Sequence, residues 1–191
     1  MLNLVIFGPP GAGKGTQAAK IIEKYNLVHL STGDILRIEK AKGTPLGMEA
    51  KEYADKGILV PDDLVIRIIA NKLDENKNAV GFIFDGFPRT IAQAEALDKM
   101  LIERNIPIKA MLALEVDDDE LQKRILLRGK ESGRAYDANP EIVRKRIDEY
   151  NLKTSPLKKY YTEKGKAHSV YGIGEIDEIF KELCGVIEQC N

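Results

Sequence analysis

The chain has 191 residues, about the size of one domain with its own core. Apolar residues make up 43% and charged residues 31%, and the net charge of -1 excludes both a disordered tail and a basic nucleic-acid binder, so any positive patch must be local. The opening run LNLVIF has no basic segment before it and is too short for a signal core or a membrane span, so a cytoplasmic protein with no membrane or nucleic-acid partner is expected.

In chain order, NLVIF is the first predicted strand, and it runs into GPPGAGKGT at residues 8–16 and then into the helical stretch KGTQAAKIIEKY. A strand, a glycine-rich turn and a helix together aim several backbone N–H groups and the positive helix end at one anion, and a polyphosphate fits that arrangement. Lys14 reaches the terminal phosphates as a point charge. In the phosphate-loop pattern GxxxxGK[ST] a hydroxyl follows the lysine, but here Gly15 follows it and the hydroxyl belongs to Thr16. Mg²⁺ arriving with the nucleotide must then lean on nucleotide oxygens, water and a nearby acid.

LVHL is the second predicted strand. The stretch AKGTPLGMEAKEYADKGILVP reads as a small helical insert, bounded by Gly43, Pro45 and Gly47 at one end and by Gly57 and Pro61 at the other. Leu64, Val65, Ile68, Ile69 and Leu73 then recur at helical spacing through NKLD at 71–74. That tetrapeptide spells the base-recognition signature of GTP-binding switch proteins, but on an amphipathic helix it is coincidence. The third strand, GFIF, ends at Asp85, where an acid can hold the water shell of Mg²⁺; the competing reading is a turn-starting Asp before Gly86. DGFP also lacks the DxxG glycine of a γ-phosphate sensor.

AMLALEV is the fourth strand, and the acids of VDDDE read as a helix N-terminus. Arg124 and Arg128 share one face of the helix that follows and lead into RGKESGRAYDANPE, predicted to be a mobile surface loop that ends where Asn139 caps a helix with Pro140 in its first turn. HSVYGI is the fifth strand. This alternation predicts an α/β fold with a parallel sheet buried by helices on both faces and right-handed crossovers.

Arg37, Arg89, Arg128 and Arg134 fall at loop or helix-end positions where a phosphate can approach, and so many guanidiniums suit phosphoryl transfer between two anionic nucleotides, in which positioning and charge neutralisation do most of the catalysis. A phosphate-monoester acceptor, with a second pKa of about 6, is already ionised and needs no protein base. His29 and His168 then read as strand residues with structural hydrogen bonds, and Cys184 and Cys190 as reduced thiols.

GPPGAGKGTQ, STGDILR, DGFPRTIAQAEAL and RGKESGR followed by VRKRIDEY stand in the order and at the spacings of the adenylate kinases, P-loop nucleoside monophosphate kinases that the chain resembles along essentially its whole length. The resemblance implies reversible phosphoryl transfer from Mg-ATP to AMP giving two ADP, within adenine nucleotide homeostasis and salvage. It implies a P-loop NTPase core of five parallel strands (1–30, 61–126 and 139–191), an AMP-binding insert at 31–60, a short lid at 127–138, and a monomer. Gly11, Ala12, Gly13, Lys14, Gly15 and Thr16 would hold ATP phosphates, with Arg124, Arg128 and Gly174 also on the ATP side. Thr32, Arg37, Ile58, Leu59, Val60, Gly86, Phe87, Pro88, Arg89 and Gln93 would receive AMP, Gln93 reading the base edge, together with Arg134 and Arg146. Lys14, Arg89, Arg128, Arg134, Arg146 and Asp85 would serve the transfer itself, Asp85 through water on Mg²⁺ that no residue ligates directly. Arg67, Arg104 and Arg144 match no such role and read as surface charge.

Two features bear on the lid. Paired acids usually follow SGR in the family's short lids, whereas this chain has AYD, with Tyr136 in place of the first acid; and the lid holds no cysteine, so no zinc is expected. Two other readings stay open at this point. One is a kinase for a pyrimidine monophosphate, against which stand Thr32, where such relatives tend to carry alanine, and the stretch after FPR. The other is a nucleotide-dependent switch or scaffold, against which stand the arginine set and the second insert.

Overall fold

The computed structural model describes residues 1–131, 137 and 139–190, with the last two residues of the sixth helix described by their backbone only. Five strands form one parallel sheet: β1 (Leu2–Phe7), β2 (Val28–Ser31), β3 (Gly81–Asp85), β4 (Ala110–Glu115) and β5 (Ala167–Tyr171), in the order β2-β3-β1-β4-β5. All five predicted strands are present. β1 is central, with Val5 opposite Phe84 on one side and Met111 on the other.

The period-2 alternation of the strands divides the core into two layers. Val5 and Phe7 face one side with Phe82, Phe84 and Met111, beneath α4 (Asp62–Glu75), α5 (Ile91–Glu103) and α8 (Pro156–Glu163), which contribute Ile69, Leu97 and Leu157. Leu4 and Ile6 face the other side with Ile83 and Leu112, beneath α1 (Lys14–Tyr25), α6 (Asp118–Glu131) and α9 (Ile176–Gln189), which contribute Ile21, Leu121 and Leu183. Strands covered on both faces must be apolar throughout, which is why the β1 sequence LNLVIF is buried at every position. Its one polar residue, Asn3, is fully buried and hydrogen-bonded: its side chain donates to Ile106 O at 2.6 Å and accepts from Phe82 N at 3.1 Å.

The stretch 31–60 holds α2 (Thr32–Ala41) and α3 (Pro45–Lys56), of which α3 lies in the stretch read as helical from its sequence. Ser31 caps α2 by accepting from Asp34 N, and Thr44 caps α3 by accepting from Gly47 N, with Pro45 in the first turn. Asn139 caps α7 (Pro140–Glu149) by accepting from the Glu141 and Ile142 N–H groups, as its spacing predicts. α6 runs on through Arg128 to Glu131, so the start of the predicted surface loop is helix. A π-helical turn at Tyr150–Thr154 separates α7 from α8. The NKLD tetrapeptide lies on α4, with Leu73 buried against the core.

Candidate active site

The C-terminal ends of β1 and β3 open into one cleft of about 1210 Å³, at the point in the sheet where the onward connections of adjacent strands, β1 to β2 and β3 to β4, leave in opposite directions. A single small-molecule site usually occupies about 300–1,000 Å³, so this volume suits two ligands. All the described predicted site residues except Phe87 gather here, from α1, α2, β3, α5, α6, α7 and the loops between elements.

At one end is the phosphate loop. Gly13, at φ 88, turns the chain into α1 in a conformation an L side chain resists, and the first N–H groups of the helix are thereby turned towards the cleft. Lys14 folds back beneath the loop and donates to Gly8 O at 2.8 Å and Pro9 O at 2.9 Å. Burial lowers its pKa to about 8; the Asp85 carboxylate draws it up, and Arg89, Arg128 and Arg146 push it down. Gly11, Ala12, Gly15, Thr16 and Gly174 line this end of the cleft as well. Arg124 is fixed by Glu120, which accepts from its Nε at 2.7 Å, and by Gly172 O, which accepts from Nη1 at 2.9 Å.

At the other end Thr32 donates to Gly86 O at 2.9 Å, and Arg89 Nε donates to the same carbonyl at 2.8 Å. Arg37 is bonded to Asp34. Ile58, Leu59, Val60, Pro88 and Gln93 line the wall. Phe87, between Gly86 and Pro88, is 1% exposed: the loop after β3 turns its side chain into the core to fill the α5 layer, while its neighbours line the cleft.

Between the two ends lies the charged centre. Asp137 is fully buried and accepts from Arg128 Nε at 2.8 Å and from Arg146 Nη1, so one carboxylate aligns two guanidiniums from α6 and α7. Asp137, the acid of AYD, thus pairs with both arginines. Arg134 and Tyr136 lie outside the described residues. Burial tends to raise the pKa of Asp85, but the facing His29 imidazole and the charges of Lys14 and Arg89 outweigh it and hold the carboxyl below its ordinary value. His29 Nε2 stands 3.6 Å from Asp85 Oδ2, beyond hydrogen-bond distance, and makes no hydrogen bond among the described residues, in place of the structural hydrogen bond expected of it. His168 on β5 meets the Cys190 thiol at 3.4 Å, and both cysteines are free. Arg67 pairs with Asp63 and Arg104 with Asp74, away from the cleft.

A family model described as adenylate kinase matches residues 6–166. The chain is 53% identical over 188 residues to an adenylate kinase of Bacteroides fragilis, covering 98% of this chain and 99% of the relative. It is 52% identical to that of Phocaeicola vulgatus, covering 99% and 100%, and 45% identical to that of Thermodesulfovibrio yellowstonii, covering 98% and 100%. The chain belongs to the adenylate kinase family.

Within this family site, sequence reasoning passed over three residues. Thr154, on the π-helical turn, donates to Arg89 O at 2.9 Å and so fixes the backbone of a cleft arginine. Asp137 stands in the glycine-bearing loop as the acid of AYD, but nothing in the sequence showed that it would pair with Arg128 and Arg146. Asp62 begins α4, and its carboxylate accepts from Thr90 and Gln93.

Proposed function

We propose that this adenylate kinase family chain transfers a phosphoryl group reversibly between Mg-ATP and AMP, giving two ADP. The observation that carries the reading is the single cleft, with a phosphate loop at one end, a helical insert at the other, and Lys14, Arg89, Arg128 and Arg146 converging between them. Gly11 to Thr16 would hold the ATP phosphates, and Arg124, Arg128 and Gly174 would flank the nucleotide. Thr32, Arg37, Ile58 to Val60, Gly86, Pro88, Arg89 and Gln93 would hold AMP, with Arg134 and Arg146 joining as 127–138 closes over 1–30, 61–126 and 139–191.

The chemistry asks little of the protein beyond position and charge. The acceptor monophosphate is ionised above its second pKa of about 6, and guanidiniums on both sides offset the repulsion between it and the donor. An ionised Asp85 beside Lys14, with the exposed Thr16 hydroxyl nearby in sequence to the loop, suits the water shell of Mg²⁺. When bound, Mg²⁺ neutralises charge on the β- and γ-phosphate oxygens. Closure of the lid and insert excludes water and so protects the phosphoryl group from hydrolysis. A single chain supplies both sides of the cleft, which suits a monomer. The free thiols suit the cytoplasm, and among the described residues no helix is long and apolar enough to cross a membrane.

The test is ADP formation from Mg-ATP with AMP, UMP, CMP, GMP or no acceptor supplied in parallel, with Lys14→Ala as control. Turnover with AMP far above the other acceptors, lost in Lys14→Ala, is the expected result. Slow turnover indifferent to the acceptor overturns the reading.

A further inference from the structure

Gln93 lies in the first turn of α5, is 1% exposed and lines the insert end of the cleft. Its amide oxygen accepts from the Arg89 backbone N–H at 2.7 Å, and its amide nitrogen donates to Asp62 Oδ1 at 2.7 Å. The second Asp62 oxygen accepts from Thr90 Oγ1 at 2.9 Å, and Thr90 is itself the N-cap of α5. Asp62 is the first residue of α4, so one carboxylate ties the start of α4 to the start of α5.

An isolated glutamine amide can turn over, exchanging its oxygen and NH₂ at little cost. Here the two orientations are far from equal. The Arg89 N–H can only donate, and the Asp62 carboxylate can only accept. Turning the amide over would set NH₂ against N–H and oxygen against carboxylate, replacing two hydrogen bonds, one of them charge-assisted, with two like-pole contacts. The orientation in place leaves one N–H and one oxygen lone pair on the amide, taken by no described residue and arranged in a fixed order.

That order matters for a purine. The pairing edge of adenine presents an N6–H donor beside the N1 acceptor; that of hypoxanthine presents the O6 acceptor beside an N1–H donor, the same pattern reversed. A freely turning amide complements both edges, and a locked one complements only one. We propose that Asp62 is a specificity-determining residue that locks the Gln93 amide and so restricts the monophosphate site to a 6-amino purine. This deepens the reading of the insert end as the AMP site and rests on it. Asp62 acts through Gln93 and is a positioning residue.

The test is steady-state kinetics of the wild-type chain, Asp62→Asn, Asp62→Ala and Asp62→Glu with AMP and with IMP as acceptors at saturating Mg-ATP, together with KM for ATP and thermal unfolding of each variant. Asp62→Asn keeps the shape but lets either pole face Gln93, and Asp62→Ala removes the acceptor. Both are expected to raise the IMP-to-AMP ratio of kcat/KM by at least about tenfold, mainly through KM for the monophosphate, with KM for ATP unchanged and Asp62→Glu restoring discrimination. A ratio within about twofold of wild type in folded variants overturns the proposal. So does an equal fall with AMP and IMP accompanied by a rise in KM for ATP, which marks a merely structural tether. A wild-type chain that makes no ADP from AMP fails the reading of the function itself, and this proposal with it, which a flat ratio in an active enzyme does not do.

Discussion

Lys14 shows how one residue is held ready for a charge it does not yet face. Burial brings its pKa to about 8, so the ammonium is charged at pH 7 with or without nucleotide, but only partly charged at pH 9 in the free protein. A polyphosphate beside it favours the charged form and raises the pKa. Nucleotide binding is therefore expected to take up almost no proton at Lys14 at pH 7 and a large fraction of one at pH 9, as measured by calorimetry in buffers of different ionisation heat. Lys14→Met should abolish the difference. Asp137 works differently, as a fully buried acceptor shared by Arg128 and Arg146. Asp137→Asn keeps the shape and removes the counter-charge. It is expected to lower kcat by about 10- to 100-fold and to lower the unfolding temperature, since removing one member of a buried ionic group leaves charge poorly compensated. Circular dichroism melts and turnover assays check both.

The decisive contact between elements is that of α2 with α3. A Cβ at Gly47 would lie 2.2 Å from Glu39 C and Lys40 N, so the two helices touch backbone to backbone there and only glycine permits it. Gly47→Ala must force them apart. The expected cost is about 1–3 kcal/mol of stability, with a roughly tenfold rise in KM for AMP and little change in KM for ATP, because the phosphate loop is built on β1 and α1 instead. Titration of each substrate against saturating partner separates the two effects. The π-helical turn at Tyr150–Thr154 makes the same point from the other side of the cleft, since it sets Thr154 against Arg89 O, a contact that the sequence pattern of a regular helix does not announce.

Across the whole molecule, the ionised acids set the acid limit of stability. At Asp85 and Asp34 burial works to raise the pKa, but Asp85 is outweighed by His29, Lys14 and Arg89, and Asp34 by the Ser31 hydroxyl and Arg37; Glu115 is lowered chiefly by Lys158 and then by Ser169. Each is held below its ordinary value, 3.8 for the aspartates and 4.5 for the glutamate. A carboxyl depressed in the folded state stabilises fully above its unfolded pKa and loses that contribution as pH falls through the folded one. Stability is therefore expected to hold above about pH 5 and to decline as pH falls through 4 and below, measured by urea unfolding at stepped pH. Asp85→Asn should flatten the decline.

The sequence by itself determined the five strands, the alternating fold and the phosphate loop, because these rest on local causes: uniformly apolar runs fit only a sheet buried on both faces, and a glycine turn between strand and helix has one geometry. It also placed most of the cleft residues, through motifs whose members lie close together in the chain, such as Arg124 and Arg128 or Gly86 to Gln93. Within that motif the side chain of Phe87 fills the core while its neighbours line the cleft, a division that motif spacing alone does not set. Only the tertiary structure decided that Asp137 joins two arginines, that His29 faces Asp85, and that Asp62 reaches Gln93 across 31 positions of chain. These are pairings between elements distant in sequence, and no periodicity records which side chains meet once the helices have packed.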